Sequence, residues 1–542
     1  MRLSTMIALA AFSVLTYVSP SRAQPLPDAV RSAGVTVAQW QEVQAEVRRA
    51  AAARGASERA LAAVAGRMGA NLVIDGRIDL EDLLNSIDER AEQVAELQAR
   101  IAAMEAGDDP AVAGLLNEAR QAIERGDLVQ GDALLAQAAE RDLASIDGDE
   151  TQLSRRRPRA ADAIAERARL AQVNADYLAA ANLYAQASQL ATGSARWRYK
   201  MSGADALTER GRVFYEIDSL RSAEAIYRNE LDFLGPMLSI EERASTRHRL
   251  GLVLRLIGQR GVNTSLVQAV ALHRAALQET TRGRWPAAWA NGQVGLGNAL
   301  VMLGERTNDP ALLREAIGAY RMALQVFTRE ESTGNWATTH NNLGSTLLQL
   351  GQRGDSEALH EAIAVLREAL QVRTRATNPR SWAVTQNHLG AALRTLGEYG
   401  DDAALEEAIA IHRAALGVHT RQTSPAEWAR TQDHLGLALL ARARRGDDAA
   451  LREAVSSFRA ALEVRTRASA PIDWAKTQTN LGAALRRSAN EVMRRRSPKR
   501  SKSIAGRSKY RAGSWRRGTG RQHNTILPAR SGCALGAASR PP

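Results

Sequence analysis

The chain has 542 residues, a formal charge of +13 at pH 7, a single cysteine and only 4% aromatic residues. One cysteine excludes both an intramolecular disulfide and a cysteine-based metal site. Ala, Leu, Arg and Glu dominate, and no alternating runs of Val or Ile indicate a sheet, so the composition predicts helices.

The N-terminus has the pattern of a secretory signal peptide. Met1-Arg2 gives a short basic start, residues 3–18 are largely apolar, and Ser21-Arg22-Ala23 places small residues at positions −3 and −1 of a cleavage point. We therefore predict a signal peptide over residues 1–23 and a mature protein that is exported, either periplasmic or secreted. An uncleaved membrane anchor is the alternative, and no other segment is apolar enough to cross a bilayer.

Residues 24–107 follow the signal and show a seven-residue apolar spacing. The residues are Leu80, Ile87, Val94 and Ile101, with Leu83, Leu97 and Met104 three positions after their partners. This spacing predicts a helical region that resembles a short coiled-coil seam, although Arg90 occupies one inward position. Two outcomes remain open: dimerisation through the seam, or a helical cap packed on the segment that follows.

An internal repeat dominates the second half of the chain. Five tryptophans stand 47, 46, 46 and 46 residues apart, each followed seven positions later by Leu-Gly: Trp289, Trp336, Trp382, Trp428 and Trp474. A further Leu four residues beyond each Leu-Gly puts both leucines on one face of a helix, here called helix A. Small, large and small residues at i, i+4 and i+7, such as Ala408, His412 and Ala415, predict a second helix, helix B.

Earlier copies lack the tryptophan. One has Leu250-Gly251 with Arg243 at the tryptophan position, and more degenerate pairs are predicted from residue 108 to about 240, for example after Asp176-Tyr177. A short helix pair cannot bury its apolar face alone, so such pairs must stack on one another. We predict eight pairs and one final helix A over residues 108–490.

These positions resemble the tetratricopeptide repeat family, whose unit of about 34 residues carries Leu-Gly on helix A and Ala, a bulky residue and Ala on helix B. The units of about 46 residues are most similar to the extended repeats of kinesin light chains and of bacterial proteins with such arrays. The resemblance implies an all-α solenoid, a right-handed superhelix of antiparallel helix pairs. It also implies a concave groove, lined mainly by helix A, that holds a protein or peptide partner, but this architecture hosts many unrelated roles.

Ten polar residues occupy the repeat positions that would line this groove: Thr338, Asn341, Asn342, Ser345, Asn387, His388, Asp433, His434, Thr479 and Asn480. An Asn amide both donates and accepts hydrogen bonds, so it can match a peptide backbone without requiring a sequence. Their variation from repeat to repeat argues against one uniform ligand. The alternative is that they are solvated polar positions on an exposed face.

The other recurring residues are interpreted as structural. The tryptophans are expected to pack between repeats rather than to stack on bases or sugars, and the arginine seven residues before each, such as Arg375 before Trp382, would cover the ring or bind a helix end. His273 and His412 stand at the bulky position of helix B and are predicted to be packed histidines. No catalytic, cofactor or metal motif is found, so we predict that the chain is not an enzyme.

The positive charge lies at the C-terminus. From Arg494 onward there are 14 Lys or Arg and no Asp or Glu, and subtracting these 14 from +13 leaves −1 for residues 1–493. Residues 491–542 are thus a basic tail, and the pattern of the last repeat is lost inside it. A capping helix before a disordered tail, a reading-frame shift, and a tail that binds nucleic acid or anionic lipid are the three interpretations.

The sequence therefore predicts a non-enzymatic scaffold of the cell envelope that binds a protein or peptide in a concave groove. The alternative function is polyanion binding through the tail, and nucleic acid is not expected as a partner unless the tail is genuine. The identity of the partner, the pathway and the oligomeric state stay open.

Overall fold

The structure, a computed structural model, describes residues 37–73, 80–105, 109–144, 150–235, 237–422 and 424–496. Within these ranges the chain forms 20 α-helices and no strand. The predicted signal peptide and residues 497–542 lie outside the described residues. The chain divides into two units, Met1–Ala484 and Leu485–Pro542, and the eight helix pairs described below lie in the first.

Three helices precede the repeats: α1 (Val37–Arg54), α2 (Glu58–Val73) and α3 (Leu80–Met104). The degenerate repeats form three pairs: α4 (Pro110–Glu124) with α5 (Leu128–Ala144), α6 (Glu150–Val173) with α7 (Tyr177–Leu190), and α8 (Gly193–Val213) with α9 (Ile217–Leu234). The first extended pair is α10 (Ile240–Gln259) with α11 (Asn263–Glu279).

The tryptophan-bearing repeats form four more pairs: α12 (Pro286–Thr307) with α13 (Pro310–Ala323), α14 (Thr333–Gly351) with α15 (Ser356–Leu370), α16 (Pro379–Glu398) with α17 (Asp402–Ala415), and α18 (Pro425–Ala443) with α19 (Asp448–Leu462). The last described helix is α20 (Pro471–Arg496). From α1 to α19, each helix packs against the next along the chain. The predicted all-α solenoid, with eight pairs and a final helix A, is confirmed.

The Leu-Gly pair exists because helix B approaches helix A at the glycine. A Cβ atom on Gly344 would lie 2.6 Å from Cγ of Leu366, and one on Gly436 would lie 2.6 Å from a ring carbon of Phe458. The bulky residue of helix B therefore fills the space that glycine leaves, and the alanines on either side of it are buried.

A Gly-Asp step ends helix A and starts helix B. Gly400 has φ +123°, a left-handed conformation that favours glycine, and it terminates α16. The next residue, Asp401, accepts a hydrogen bond from the Ala404 backbone N–H and caps α17. The same step recurs at Gly354 and Gly446, so each repeat carries its own turn signal.

Arginines on helix B tie each repeat to the next. Four exposed ion pairs recur along the array: Arg274–Glu315, Arg321–Glu361, Arg367–Glu407 and Arg413–Glu453. In each pair one Nη2 atom reaches both carboxylate oxygens. Because both side chains of each pair stay largely in water, their attraction is weak.

Replacing Arg367 by Gln is therefore expected to lower the free energy of unfolding by less than about 1 kcal/mol, although the pair recurs in every long repeat. Urea unfolding followed by circular dichroism measures this, and the effect should shrink further at high salt. A loss above about 2 kcal/mol would show that the ion pairs are a main source of stability, contrary to this expectation.

The apolar seam of α3 is buried inside the chain. Ile87, Val94 and Ile101 are each no more than 1% exposed and lie in one core with Leu116 and Leu135 of the first repeat. This is the arrangement of a cap on the repeats, and these three residues offer no exposed face for a second copy.

The inward position of Arg90 has a local cause. Its guanidinium donates to the hydroxyl of Tyr177 at 2.5 Å and to the backbone carbonyl of Gln172 at 2.9 Å. The charge thus has polar acceptors at the junction of α3 with the second repeat.

Candidate functional site

The predicted groove residues do not all face open space. Asn341 and Asp433 are 7% exposed, and Asn387 is fully buried. These three residues hold equivalent positions on α14, α18 and α16, at the interface between successive helices A.

Their side chains form hydrogen bonds between repeats. Thr385 donates from Oγ1 to Oδ1 of Asn341 at 3.0 Å. Asn387 donates from Nδ2 to Oγ1 of Thr431 at 2.8 Å, and Asp433 accepts from Nδ2 of Asn480 at 3.3 Å. We call this series the inter-repeat amide ladder, and it gives these positions a role in fixing the stacking of helices A.

The remaining predicted residues are more accessible. Thr338 and Thr479 are exposed, whereas the others are half-buried: Asn342, Ser345, His388, His434 and Asn480. Asn342 donates to Oδ1 of Asn298 at 3.3 Å, and Nδ1 of His388 lies 3.1 Å from Oδ1 of Asn341. Peptide binding by the ten residues stays a prediction, and Thr338 and Thr479 are the exposed ones among them.

Replacing Asn387 by Ala is expected to lower the free energy of unfolding by about 1–3 kcal/mol, because its amide bonds to Thr431 and to Nδ1 of His412 are both lost in a buried setting. Exposed Asn335 on α14 supplies the matched control, whose alanine variant should change stability by less than about 0.5 kcal/mol. Equal urea midpoints for the two variants would contradict the structural role of the ladder.

The sequence analysis did not identify one recurring repeat position, which lies just after helix B. The residues at this position are spaced 46 apart: Phe327, Arg373, His419 and Arg465. Arg373 donates to Oγ1 of Thr385 at 3.1 Å and to Oγ1 of Thr338 at 2.8 Å. The constant offset of 12 residues to the threonine of the ladder is the signal that could have revealed it.

Arg373 is a half-buried cation without a counter-ion among the described residues. Burial lowers the pKa of its guanidinium, and within the described ranges no carboxylate lies within ion-pair distance of it. Arg465, at the same position two repeats later, has the carboxylate of Asp433 at 3.9 Å. An arginine held by hydroxyl groups alone is poorly compensated and is suited to accept a carboxylate.

His419 occupies the same position in the next repeat and is fully buried. Neither of its ring nitrogens has a hydrogen-bond partner in the described part of the chain. Burial lowers the pKa of this imidazole to about 4, and Arg430 and Arg380 act in the same direction. The ring is therefore neutral at pH 7.

A cavity of about 410 Å³ opens beside these residues. The repeats contribute Arg373, Arg380 and His419 to its lining, and the N-terminal helices contribute Glu46 and Arg49. Helix α1 thus reaches a face of the array that lies more than 300 residues away in the sequence.

Two polar contacts join α1 to the array at this cavity. Arg49 donates from Nη1 to the backbone carbonyl of Thr377 at 3.3 Å, and Glu46 lies 3.8 Å from Arg380. Each is expected to contribute no more than about 1 kcal/mol.

The tryptophan rings lie against the repeats. Trp289 is 7% exposed and packs in a small cluster with Ala323 and Phe327, which the partly buried Trp336 joins. Arg375 lies over the Trp382 ring at 6.0 Å and also donates to the carbonyl of Gly417 just beyond α17. Both roles considered for this arginine, covering the ring and binding a helix end, are thus found in one side chain.

His273 and His412 are packed histidines, as predicted. They are 3% and 0% exposed, and burial lowers the pKa of both imidazoles to about 3. Across the described ranges no group of three or more His, Cys, Asp and Glu side chains is placed to hold a metal ion. Of the helices described, none is both long and apolar enough to cross a membrane.

Comparison with known proteins identifies the repeats. The family profile of the tetratricopeptide repeat matches residues 336–381 and 382–422, the two repeats that carry Asn341 and Asn387. No curated protein matches the chain.

Several solved structures are similar to it. BtubC (BKLC) from P. vanneervenii is 17% identical, covering 62% of this chain and 99% of that one with a TM-score of 0.30. The apo form of the quorum sensor NprR from B. thuringiensis is 14% identical, covering 71% and 98% with a TM-score of 0.37. The TPR domain of P58(IPK) is 12% identical, covering 72% and 100% with a TM-score of 0.19.

The matched residues contain the tryptophan, Leu-Gly and alanine positions described above. The resemblance drawn from those positions is confirmed: residues 336–422 match the tetratricopeptide repeat, a match that suggests a protein-interaction scaffold.

Proposed function

We propose that the chain is an exported, non-enzymatic scaffold of the cell envelope that holds a protein or peptide partner on the face of helices α14, α16 and α18. The observation that carries the proposal is Arg373, a half-buried guanidinium whose described acceptors are two threonine hydroxyls, one of them on the exposed Thr338. A partner that brings an acceptor to this face would complete its hydrogen bonding.

The charge distribution favours binding of a partner at one specific face over non-specific electrostatic attraction to the whole folded body. Residues 1–493 carry a formal charge of −1, so a partner would be attracted by local groups rather than by the overall field of the folded body. The exposed hydroxyl of Thr338 contacts Arg373 directly.

Affinity capture from a cell-envelope extract tests the proposal. The full chain is compared with a Thr338→Glu variant, which supplies Arg373 with a carboxylate from within the chain, and with Thr333→Glu, an exposed control in the first turn of the same helix. We expect one partner to be retained by the wild type and the control and lost from Thr338→Glu. Retention by all three chains would remove this face from the function.

The predicted tail function appears as a different outcome of the same capture. A chain that ends at Arg496 lacks residues 497–542, and material held only by the full chain would be bound through the tail. Tail binding should also be lost at moderate salt, because it depends on counterion release.

Export is tested separately. Fractionation of the source cells followed by N-terminal sequencing should give a mature chain that begins at Gln24 outside the cytoplasm. An intact Met1 in the cytoplasmic fraction would overturn the envelope assignment without touching the binding face.

A further inference from the structure

A second cavity lies among the degenerate repeats. Its volume is about 310 Å³, at the lower end of the range for small-molecule sites. Helices α7, α8 and α9 line it, and it shares no lining residue with the cavity beside Arg373. It is therefore a separate feature of the array.

The surface of this cavity is mainly apolar. Leu178 and Ala181 of α7, Leu207 of α8 and Ile226 of α9 contribute to it. Leu178 is 46% exposed, so this wall is accessible from solvent. Apolar surface that faces water favours the binding of an apolar group, because binding removes that surface from water.

One buried carboxylate belongs to the same lining. Glu230 on α9 is 2% exposed. Its Oε1 atom accepts a hydrogen bond from Nζ of Lys200 on α8. Its Oε2 atom is also buried and has no hydrogen-bond partner among the described residues. A buried acceptor without a donor costs free energy, so a bound molecule that donates to Oε2 would gain that free energy.

The buried hydroxyls of the lining are already engaged within the chain. Oγ of Ser188 donates to the backbone carbonyl of Ala185 at 2.7 Å, and the hydroxyl of Tyr199 donates to Oδ1 of Asp162 at 2.5 Å. A hydroxyl has one proton to donate, so neither group can also serve Glu230. A ligand that joins a donor to an apolar body would satisfy Oε2 and cover the apolar surface together, which a water molecule cannot do.

The charges of the lining favour an uncharged ligand. Lys200 and Glu230 are its two charged residues, and they form an ion pair. A ligand ammonium group would approach Glu230 beside the ammonium group of Lys200, and repulsion between the two cations opposes this. A hydroxyl or an amide N–H donates a hydrogen bond without bringing a charge.

We propose that this cavity, here called the Glu230 cavity, binds an uncharged small molecule that has an apolar body and a hydroxyl or amide donor, such as a fatty alcohol. The donor bonds to Oε2 of Glu230, and the body lies against Leu178, Leu207 and Ile226. This site goes beyond the proposed function, because none of its lining residues lies on α14, α16 or α18.

Matched ligands test the role of the donor. Octanol and heptyl methyl ether are isomers of similar size, but only octanol can donate a hydrogen bond. Isothermal titration calorimetry with the full chain should show that octanol binds at least about tenfold more tightly than the ether, as expected for a hydrogen bond to a charged group. Octylammonium, which carries its donor as a cation, should bind more weakly than octanol.

A variant of Glu230 tests the acceptor. In Glu230→Gln the amide oxygen can still accept from Lys200, which turns the amide N–H toward the cavity. Octanol and the ether both accept hydrogen bonds, so their affinities for this variant should differ by less than about threefold. Circular dichroism checks that the variant is folded.

Two surface variants test the location without changing the ion pair. Ala185 is an exposed lining residue of α7, and Ala185→Trp should fill part of the cavity and weaken octanol binding at least about tenfold. Gln186 is exposed on the same helix but lies outside the lining, so Gln186→Trp should bind octanol as the wild type does.

Four results would overturn the proposal: equal affinity of the wild type for octanol and the ether, no measurable binding of octanol, equal octanol binding by the two tryptophan variants, or tighter binding of octylammonium than of octanol. The Thr338→Glu variant should bind octanol normally. Loss of the envelope partner and loss of the Glu230 cavity are therefore separate outcomes.

Discussion

Lowering the pH from 7 to 5 is expected to remove on the order of 5 kcal/mol of unfolding free energy, because three buried histidines must stay neutral in the folded chain. Burial lowers the pKa of His273 and His412 to about 3 and that of His419 to about 4. In the unfolded chain each imidazole takes up a proton near pH 6.5.

The direction of this effect follows from proton binding. Between about pH 6.5 and pH 4 the unfolded state binds more protons than the folded state. The free energy of unfolding therefore decreases as the pH is lowered through that window, and it keeps its full value above about pH 6.5. At pH 5 each histidine accounts for about 2 kcal/mol. The half-buried His248 and His388, whose pKa values burial lowers to about 4, act in the same direction.

Two buried carboxyl groups act in the opposite direction. Burial raises the pKa of Glu166 and of Asp433, so their protonation favours the folded state as the pH falls. The histidines outnumber them, and urea midpoints measured at pH 7, 6 and 5 should therefore decrease steadily. Constant midpoints across this range would contradict neutral burial of the imidazoles.

A single variant isolates one histidine. Phe327 stands at the position of His419 two repeats earlier and is 4% exposed, so His419→Phe should fit, and it leaves no hydrogen-bond partner behind. We expect it to reduce the stability loss between pH 7 and 5 by about 2 kcal/mol. His360→Gln, at an exposed position of α15, should leave the pH dependence unchanged.

Replacing Gly436 by Val is expected to lower the free energy of unfolding by about 3 kcal/mol, because the added Cβ would lie 2.6 Å from the ring of Phe458. Two helices that are held together by their whole length cannot separate locally to make room. Urea unfolding of the variant measures the loss, and the glycine of any other extended repeat should behave in the same way.

The chain supplies both a control and a rescue for this prediction. Gly318 is exposed in the middle of α13 with nothing within 4 Å of an added Cβ, so Gly318→Ala should stabilise by up to about 1 kcal/mol. Combining Gly436→Val with Phe458→Ala removes the ring that is struck, and the double variant should lose less than the sum of the two single losses. Strict additivity would show that the close approach is not the cause.

The ion pairs that recur between repeats help to explain the origin of the basic tail, residues 491–542. Each helix B arginine of the long repeats finds a glutamate 40 or 41 residues later, as Arg413 finds Glu453. Arg459 is the next member of that series, and the residue 46 positions after Glu453 is Lys499. The sequence thus departs from the repeat by charge as well as by pattern, which favours a frame change in the gene or a separate tail over a further repeat.

The nucleotide sequence distinguishes these two histories. Translation of the other frames after the codon for Leu485 should show whether a helix B stripe and a glutamate at position 499 are recovered. Recovery of both would mark residues 491–542 as out of frame.

The sequence by itself determined the repeat and its helices. Trp, Leu-Gly and the small-large-small stripe recur at fixed spacing because each unit must present the same apolar face to its neighbours, and a single chain displays that periodicity directly. The positions of His273 and His412 in the core followed from the same alignment.

The tertiary structure alone decided which polar residues remain accessible. Asn341 and Asn387 were predicted to line the groove, yet the close stacking of helices A buries them in hydrogen bonds to Thr385 and Thr431. The approach of α1 to Arg380 depends on how the repeats curve over more than 300 residues. The spacing of residues in the sequence gives neither the accessibility of these side chains nor the approach of α1. Both arise from small rotations between neighbouring repeats that add up along the array.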